Sequence, residues 1–116
     1  MSPTKEQPLI LVEQIEPRIL VIRGQRVILD ADLAELYGTT TKALNQAVKR
    51  NAGRFPADFH FQLNDTERGE VVTNCDHLTR LKFSRYRPHA FTEHGALMAA
   101  SVLNTPRAID VSLGIS

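Results

Sequence analysis

The chain has 116 residues, of which 42% are hydrophobic and 23% charged, and a formal net charge of +1. That length supports one globular domain with a buried core but not two, and the near-neutral balance does not by itself advertise nucleic acid. One cysteine, Cys75, excludes an internal disulfide framework and suits a reducing compartment, and the apolar run Leu9 to Val12 is too short for a signal peptide or a membrane span, so a cytoplasmic location is expected.

Residues 1 to 8 are polar and proline-bearing and read as a disordered arm; the single domain is expected over residues 9 to 116. Leu9 to Ile15 reads equally as a strand or a short helix. Ile19 to Leu29 predicts a β-hairpin, with β-branched runs on both sides of Gly24-Gln25 and a glycine placed for a type II′ turn. The hairpin is expected to form a small sheet behind the helices that follow. Arg23 and Arg26 sit at its tip, where solvation is the usual fate and phosphate contact the sharper reading.

Asp30 to Asn51 predicts two short helices with a sharp turn at Gly38. Asp30 and Asp32 open the first helix where its dipole favours acids, and Leu33, Ala34, Leu36 and Tyr37 give it an apolar face. Gly38 can adopt positive φ, and Thr40 can cap the second helix, with Leu44, Ala47 and Val48 on its buried side. The outward set is then Thr41, Lys42, Asn45, Gln46, Lys49 and Arg50, the amides and cations that read base edges and grip phosphates. A small residue, a glycine and an aliphatic at these spacings suit a DNA-binding helix-turn-helix, and suit an ordinary helical hairpin as well.

Ala52-Gly53 ends the second helix. Phe59 to Leu63 alternates Phe59, Phe61 and Leu63 against His60 and Gln62, as a half-buried strand does. Asn64 to Glu67 reads as a helix start, with the helix running to Thr73. Asn74 to Pro88 has no clear period and is either a loop or a hairpin arm. Within it Arg85-Tyr86-Arg87 suits backbone contact with stacking, or a plain strand edge. His89 to Phe91 is a short strand, after which Thr92 caps a helix from Glu93 to Leu103. Its small residues are expected to pack on the hairpin or the first helix. Asn104 ends it, and Thr105-Pro106 starts a last helix that the chain's end at Ser116 cuts short.

Charge is distributed unevenly. Lys42 to Arg54 holds the cations Lys42, Lys49, Arg50 and Arg54, and His77 to Thr92 holds Arg80, Lys82, Arg85 and Arg87, neither stretch with an acid. A charge run is more commonly a solvated face, but two of them flanking such a helical pair shift the reading toward an electrostatic footprint for nucleic acid.

Three separate runs, IRGQRVILDADLAELYGTTTKALNQAVKRN, RFPADFHFQL and RPHAFTEHGALMAASVLNTPRA, resemble the KilA-N-type N-terminal domain of phage and bacterial proteins, most closely its ORF-six-N branch. The resemblance spans residues 12 to 110. It implies a compact α+β DNA-binding domain of phage antirepressors and regulators: a small β-hairpin sheet packed with a helix-turn-helix and further short helices, winged-helix-like. Under it Thr41, Lys42, Asn45, Gln46, Lys49 and Arg50 become the DNA-facing element, and on the side-chain chemistry Thr41, Lys42, Asn45 and Gln46 are then expected to read bases. Their charge makes Lys49, Arg50, Arg54, Arg80, Lys82, Arg85 and Arg87 the expected phosphate contacts. Double-stranded DNA is the expected partner, bound by a homodimer, with a repressor protein as the alternative partner of an interaction-only module. Relatives usually continue into a longer helix, so the domain is expected to be truncated at its C-terminal helix.

Other constellations are set aside. Cys75, His77, His89 and His94 lack the spacing of a structural zinc site. Glu93 and His94 are better explained by helix capping than by acid-base work. Asp30, Asp32 and Glu35 read as the solvated acidic face of the first helix. The glycines are isolated and form no phosphate loop. The expectation is a non-enzymatic protein without metal or cofactor.

Overall fold

The computed structural model describes residues 18–74 and 85–103. The expectations for the N-terminal arm, Leu9 to Ile15, Cys75, His77, Arg80, Lys82 and the segment from Asn104 onward lie outside the described residues. The fold is α+β. Its elements are β1 (Ile19–Ile22), β2 (Gln25–Leu29), α1 (Asp30–Leu36), α2 (Thr41–Arg50), a 3-10 turn (Ala52–Arg54), β3 (His60–Gln62), α3 (Asp65–Asn74), β4 (His89–Thr92) and α4 (Glu93–Leu103).

The strands form one antiparallel sheet in the order β1-β2-β4-β3. The last of the described strands thus enters the middle, between the hairpin and β3. Successive side chains of a strand face opposite ways, and here both faces are covered. On one face Ile28 and Phe91 join Leu33, Leu36, Tyr37, Leu44, Val48 and the alanines of α4 in a core under α1, α2 and α4. On the other, Val27, Leu29, Ala90 and Phe61 pack with Leu63 and Val71 under α3.

Local chemistry explains most element ends. Ile22 pairs with Gln25, and Arg23 and Gly24 both have positive φ, 55° and 74°. The hairpin turn is therefore type I′ centred on Arg23-Gly24, one residue earlier than the expected type II′ turn at Gly24-Gln25. Arg23 tolerates the left-handed conformation with its side chain held from three sides. Its guanidinium donates to Glu67 at 2.8 and 2.9 Å and to the Gln62 carbonyl at 3.4 Å, and lies 4.1 Å over the Phe61 ring. Arg23 is thus committed to an internal contact, whereas Arg26 is exposed.

Gly38 turns the chain at φ 71°, as expected. Thr40 Oγ1 accepts from Ala43 N at 3.0 Å and so caps α2. Asn64 and Glu67 form a reciprocal capping box at the start of α3: Asn64 Oδ1 accepts from Glu67 N at 2.8 Å, and Glu67 Oε1 from Asn64 N at 2.9 Å. Thr92 Oγ1 accepts from Gly95 N at 3.3 Å and starts α4.

That start is crowded. The Phe59 carbonyl accepts from Thr92 N at 3.0 Å, and a Cβ added to Gly95 would lie 1.9 Å from the same oxygen. Only glycine lets the first turn of α4 come this close to the entry of β3. The small residues of α4 lie in the core shared by α1, α2 and the sheet, so both expected neighbours, the hairpin and the first helix, take part. Tyr37, at the end of α1, reaches across to donate to the Ala96 carbonyl at 2.8 Å.

Candidate nucleic-acid interface

The two helices at the centre of the sequence are joined by Tyr37 to Thr40. Backbone bonds close the turn, from Tyr37 N to the Leu33 carbonyl at 2.9 Å and from Thr39 N to the Ala34 carbonyl at 2.9 Å. Leu44, Ala47 and Val48 anchor α2 to the core. This leaves Lys42, Gln46, Lys49 and Arg50 exposed on the opposite side, with Thr41 half-buried. Helix α2 contains no acid, and its two C-terminal cations complement the negative end of its dipole. Arg54 follows, exposed, in the 3-10 turn.

Asn45 departs from the outward set. Its side chain is turned to the protein, where Nδ2 donates to Asp30 Oδ2 at 2.9 Å and to the Tyr86 hydroxyl at 3.0 Å. Its Oδ1 is enclosed and accepts no hydrogen bond among the described residues. A bidentate adenine contact needs both ends of the amide presented to the groove, and here neither is.

The group that turns Asn45 inward is Asp30, the first residue of α1 and 0% exposed. Asp30 Oδ2 accepts from Tyr86 Oη, from Asn45 Nδ2 and, at 3.3 Å, from the backbone N–H of His89, while Oδ1 accepts from Ala31 N at 2.8 Å. This corrects the expectation of a solvated acidic face on α1. Asp30 and Asp32 are buried, and only Glu35 is exposed, 2.5 Å from Arg18. A buried carboxylate is tolerable when several donors replace its water. Apart from the neighbouring Ala31 N–H, these donors come from α2, from the segment before β4 and from β4 itself. Nothing near Asp30 in sequence signals them.

Tyr86 is a structural residue by this bond, although residues 85 to 88 form no strand. Burial, with the Asp30 carboxylate second, holds its phenol above its ordinary range, which keeps it a donor. Its neighbours Arg85 and Arg87 are exposed, so this short stretch stands beside α2 with the tyrosine hydroxyl turned inward and the two arginines outward. Gln62 Nε2 donates to the Arg87 carbonyl at 3.0 Å and steadies the far side of this segment.

Below it, His60 of β3 and His89 of β4 stack in parallel, ring centroids 4.9 Å apart and planes 7° apart. Burial pushes His60 down to about 4, with His89 pushing the same way and Asp30 opposing. Burial also lowers His89. Both rings are therefore neutral near pH 7. Glu93 and His94 are exposed, and His94 stacks on Phe59.

The ORF6N domain model matches residues 17–102. The chain belongs to the ORF6N domain family. Every described element of the ORF6N domain falls within that match apart from the last residue of α4, including Asp30, α2 and the Arg85 to Arg87 segment. No curated protein and no solved structure matches the chain. Among the described residues no helix is long and apolar enough to cross a membrane, and no three histidine, cysteine or acidic side chains are grouped to hold a metal ion.

Proposed function

We propose that this ORF6N domain is a phage-type, KilA-N-like regulatory module that binds double-stranded DNA and catalyses no reaction. The observation that carries the reading is the outer face of α2. Lys42, Gln46, Lys49 and Arg50 are exposed on a helix without acids, held out from the core just after a tight glycine turn. A helix so placed fits the major groove, where Gln46 and Lys42, with Thr41 beside them, meet base edges. Lys49, Arg50, Arg54, Arg85 and Arg87 then meet phosphates. A surface this small binds a half-site weakly, which favours a homodimer on a two-fold target.

The test is a mobility-shift titration against randomised duplexes across salt concentrations. Five exposed phosphate-facing cations give a slope of log K against log salt near −4.5 per chain, or about a 500-fold loss between 50 and 200 mM. Selected sequences return the half-site spacing at the same time. If no duplex is retained even at low salt, the DNA reading is lost, and an antirepressor that grips a repressor protein takes its place.

A further inference from the structure

We propose that Asp30 is a positioning residue that latches the Arg85 to Arg87 segment to α2, making them one phosphate-gripping surface, and that Asn45 belongs to this latch and does not read bases. The inference rests on the DNA reading for its ligand but on separate geometry for the latch.

Arg85 follows the end of α2 at Arg50 by 35 positions in sequence, and no strand holds residues 85 to 88. What joins them is a directed chain of hydrogen bonds. Asn45 Nδ2 donates to Tyr86 Oη, Tyr86 Oη donates to Asp30 Oδ2, and Asn45 Nδ2 also reaches Asp30 directly at 2.9 Å. The same carboxylate oxygen accepts from His89 N at 3.3 Å, which places it where this segment enters β4. Asp30 is wholly buried, whereas Tyr86 is 40% exposed, so the carboxylate is the fixed post and the tyrosine the movable part. Bonds to a charged acceptor in such surroundings are stronger than neutral ones and more directional.

Arg85 and Arg87 flank the latched tyrosine, and neither they nor the exposed cations of α2 have an acid within their own segments. A duplex presents phosphates at fixed spacing, so two basic elements bind it together only if their separation is fixed beforehand. The cost of ordering a loose arm is otherwise subtracted from the affinity.

The experiment compares salt slopes of DNA binding for the wild type, Tyr86→Phe, the Arg85→Ala/Arg87→Ala pair and the combination of all three. Phenylalanine keeps the ring and removes only the hydroxyl, and a thermal melt verifies that each variant is folded. The arginine pair is expected to lower the slope by about 2, one phosphate contact each. Tyr86→Phe is expected to lower it by between about 1 and 2, and the combination to add little to the arginine pair. An unchanged slope in Tyr86→Phe, or losses that simply add, overturns the latch. Asn45→Ala is expected to lower the slope and leave the selected sequence intact. A changed base preference at one position would make Asn45 a reader after all.

If the wild type binds no duplex, the DNA reading fails, and the latch is judged in the free protein by exchange of the Asn45 side-chain amide. Slow exchange that quickens in Tyr86→Phe upholds it. Exchange at the solvent rate in the wild type overturns it.

Discussion

Gly95→Ala tests the packing of α4 against β3, because the usual rule for helices and the local geometry predict opposite signs. Alanine in place of glycine within a helix is ordinarily worth up to about 1 kcal/mol of stability. At Gly95, however, the new methyl would sit 1.9 Å from the Phe59 oxygen and 2.9 Å from its carbonyl carbon. Restoring ordinary contact needs the two to move about 1.5 Å further apart, and the obstacle is backbone, which cannot rotate aside as a side chain can. The carbonyl is also pinned, accepting from Thr92 N at 3.0 Å and from Thr92 Oγ1 at 3.2 Å. Overpacking costs about 1–3 kcal/mol, and weakening one backbone hydrogen bond costs about 1 kcal/mol more. After the helical gain is subtracted, the variant should lose about 1–3 kcal/mol.

Gly69 of α3 is the matched control, since a Cβ there meets nothing within 4 Å and its φ is ordinary. Gly69→Ala should gain about 0.5–1 kcal/mol. Urea titrations followed by circular dichroism would read both. With a slope of about 1.5 kcal/mol/M, Gly95→Ala should lower the midpoint by about 1–2 M and Gly69→Ala should raise it. A Gly95→Ala protein as stable as the wild type, or more so, would refute the close approach of α4 to Phe59.

Asp30→Ala removes the carboxylate that accepts from the Tyr86 hydroxyl, the Asn45 amide and the His89 N–H, and should cost about 3–5 kcal/mol in the same titration; a loss below about 1 kcal/mol would mean water replaces the carboxylate freely. The His60 value of about 4 lies below the 6.5 of an unfolded histidine, so the unfolded chain takes up its proton first. This contribution is complete above pH 6.5 and shrinks as pH falls toward 4. The ring is partly open to solvent, and after screening the loss is about 1 kcal/mol. His60→Gln should flatten the stability profile in that window, and an unaltered profile would locate its slope elsewhere. In DNA binding, Gln46→Ala should relax one base preference at about 1–3 kcal/mol, while Arg50→Ala should weaken all sequences alike and reduce the salt slope by about 1; identical behaviour of the two would end the division between reading and gripping.

What was legible in the sequence is what short-range chemistry decides. The Thr40 and Thr92 caps, the Gly38 turn, the Asn64 to Glu67 start and the alternation around Phe61 all depend on residues within four positions of one another. The hairpin turn was misplaced by one residue because glycine marks the turn while Arg23 does not look like a turn residue. Its left-handed backbone is backed by Glu67, far along the chain. Asp30 was misread for the same reason. At a helix start a carboxylate ordinarily meets water, and the partners that allow its burial come from residues 45, 86 and 89. Helical spacing places Asn45 at the boundary of the exposed face, and spacing cannot say which way a boundary amide turns.

The place of β4 in the middle of the sheet bears on how the chain reaches this state. β3 has its described pairing with β4 alone, and β2 gains its second neighbour only when β4 arrives. During synthesis, the hairpin and the α1–α2 pair leave the ribosome well before residue 89, with one edge of β2 open and Phe91 missing from the core between sheet and helices. The fold therefore closes late and through distant contacts, which slows it and exposes an unpaired edge to neighbouring chains. Nascent chains halted before His89 should remain sensitive to protease along most of their length, and chains released after Leu103 should acquire resistance in a single step.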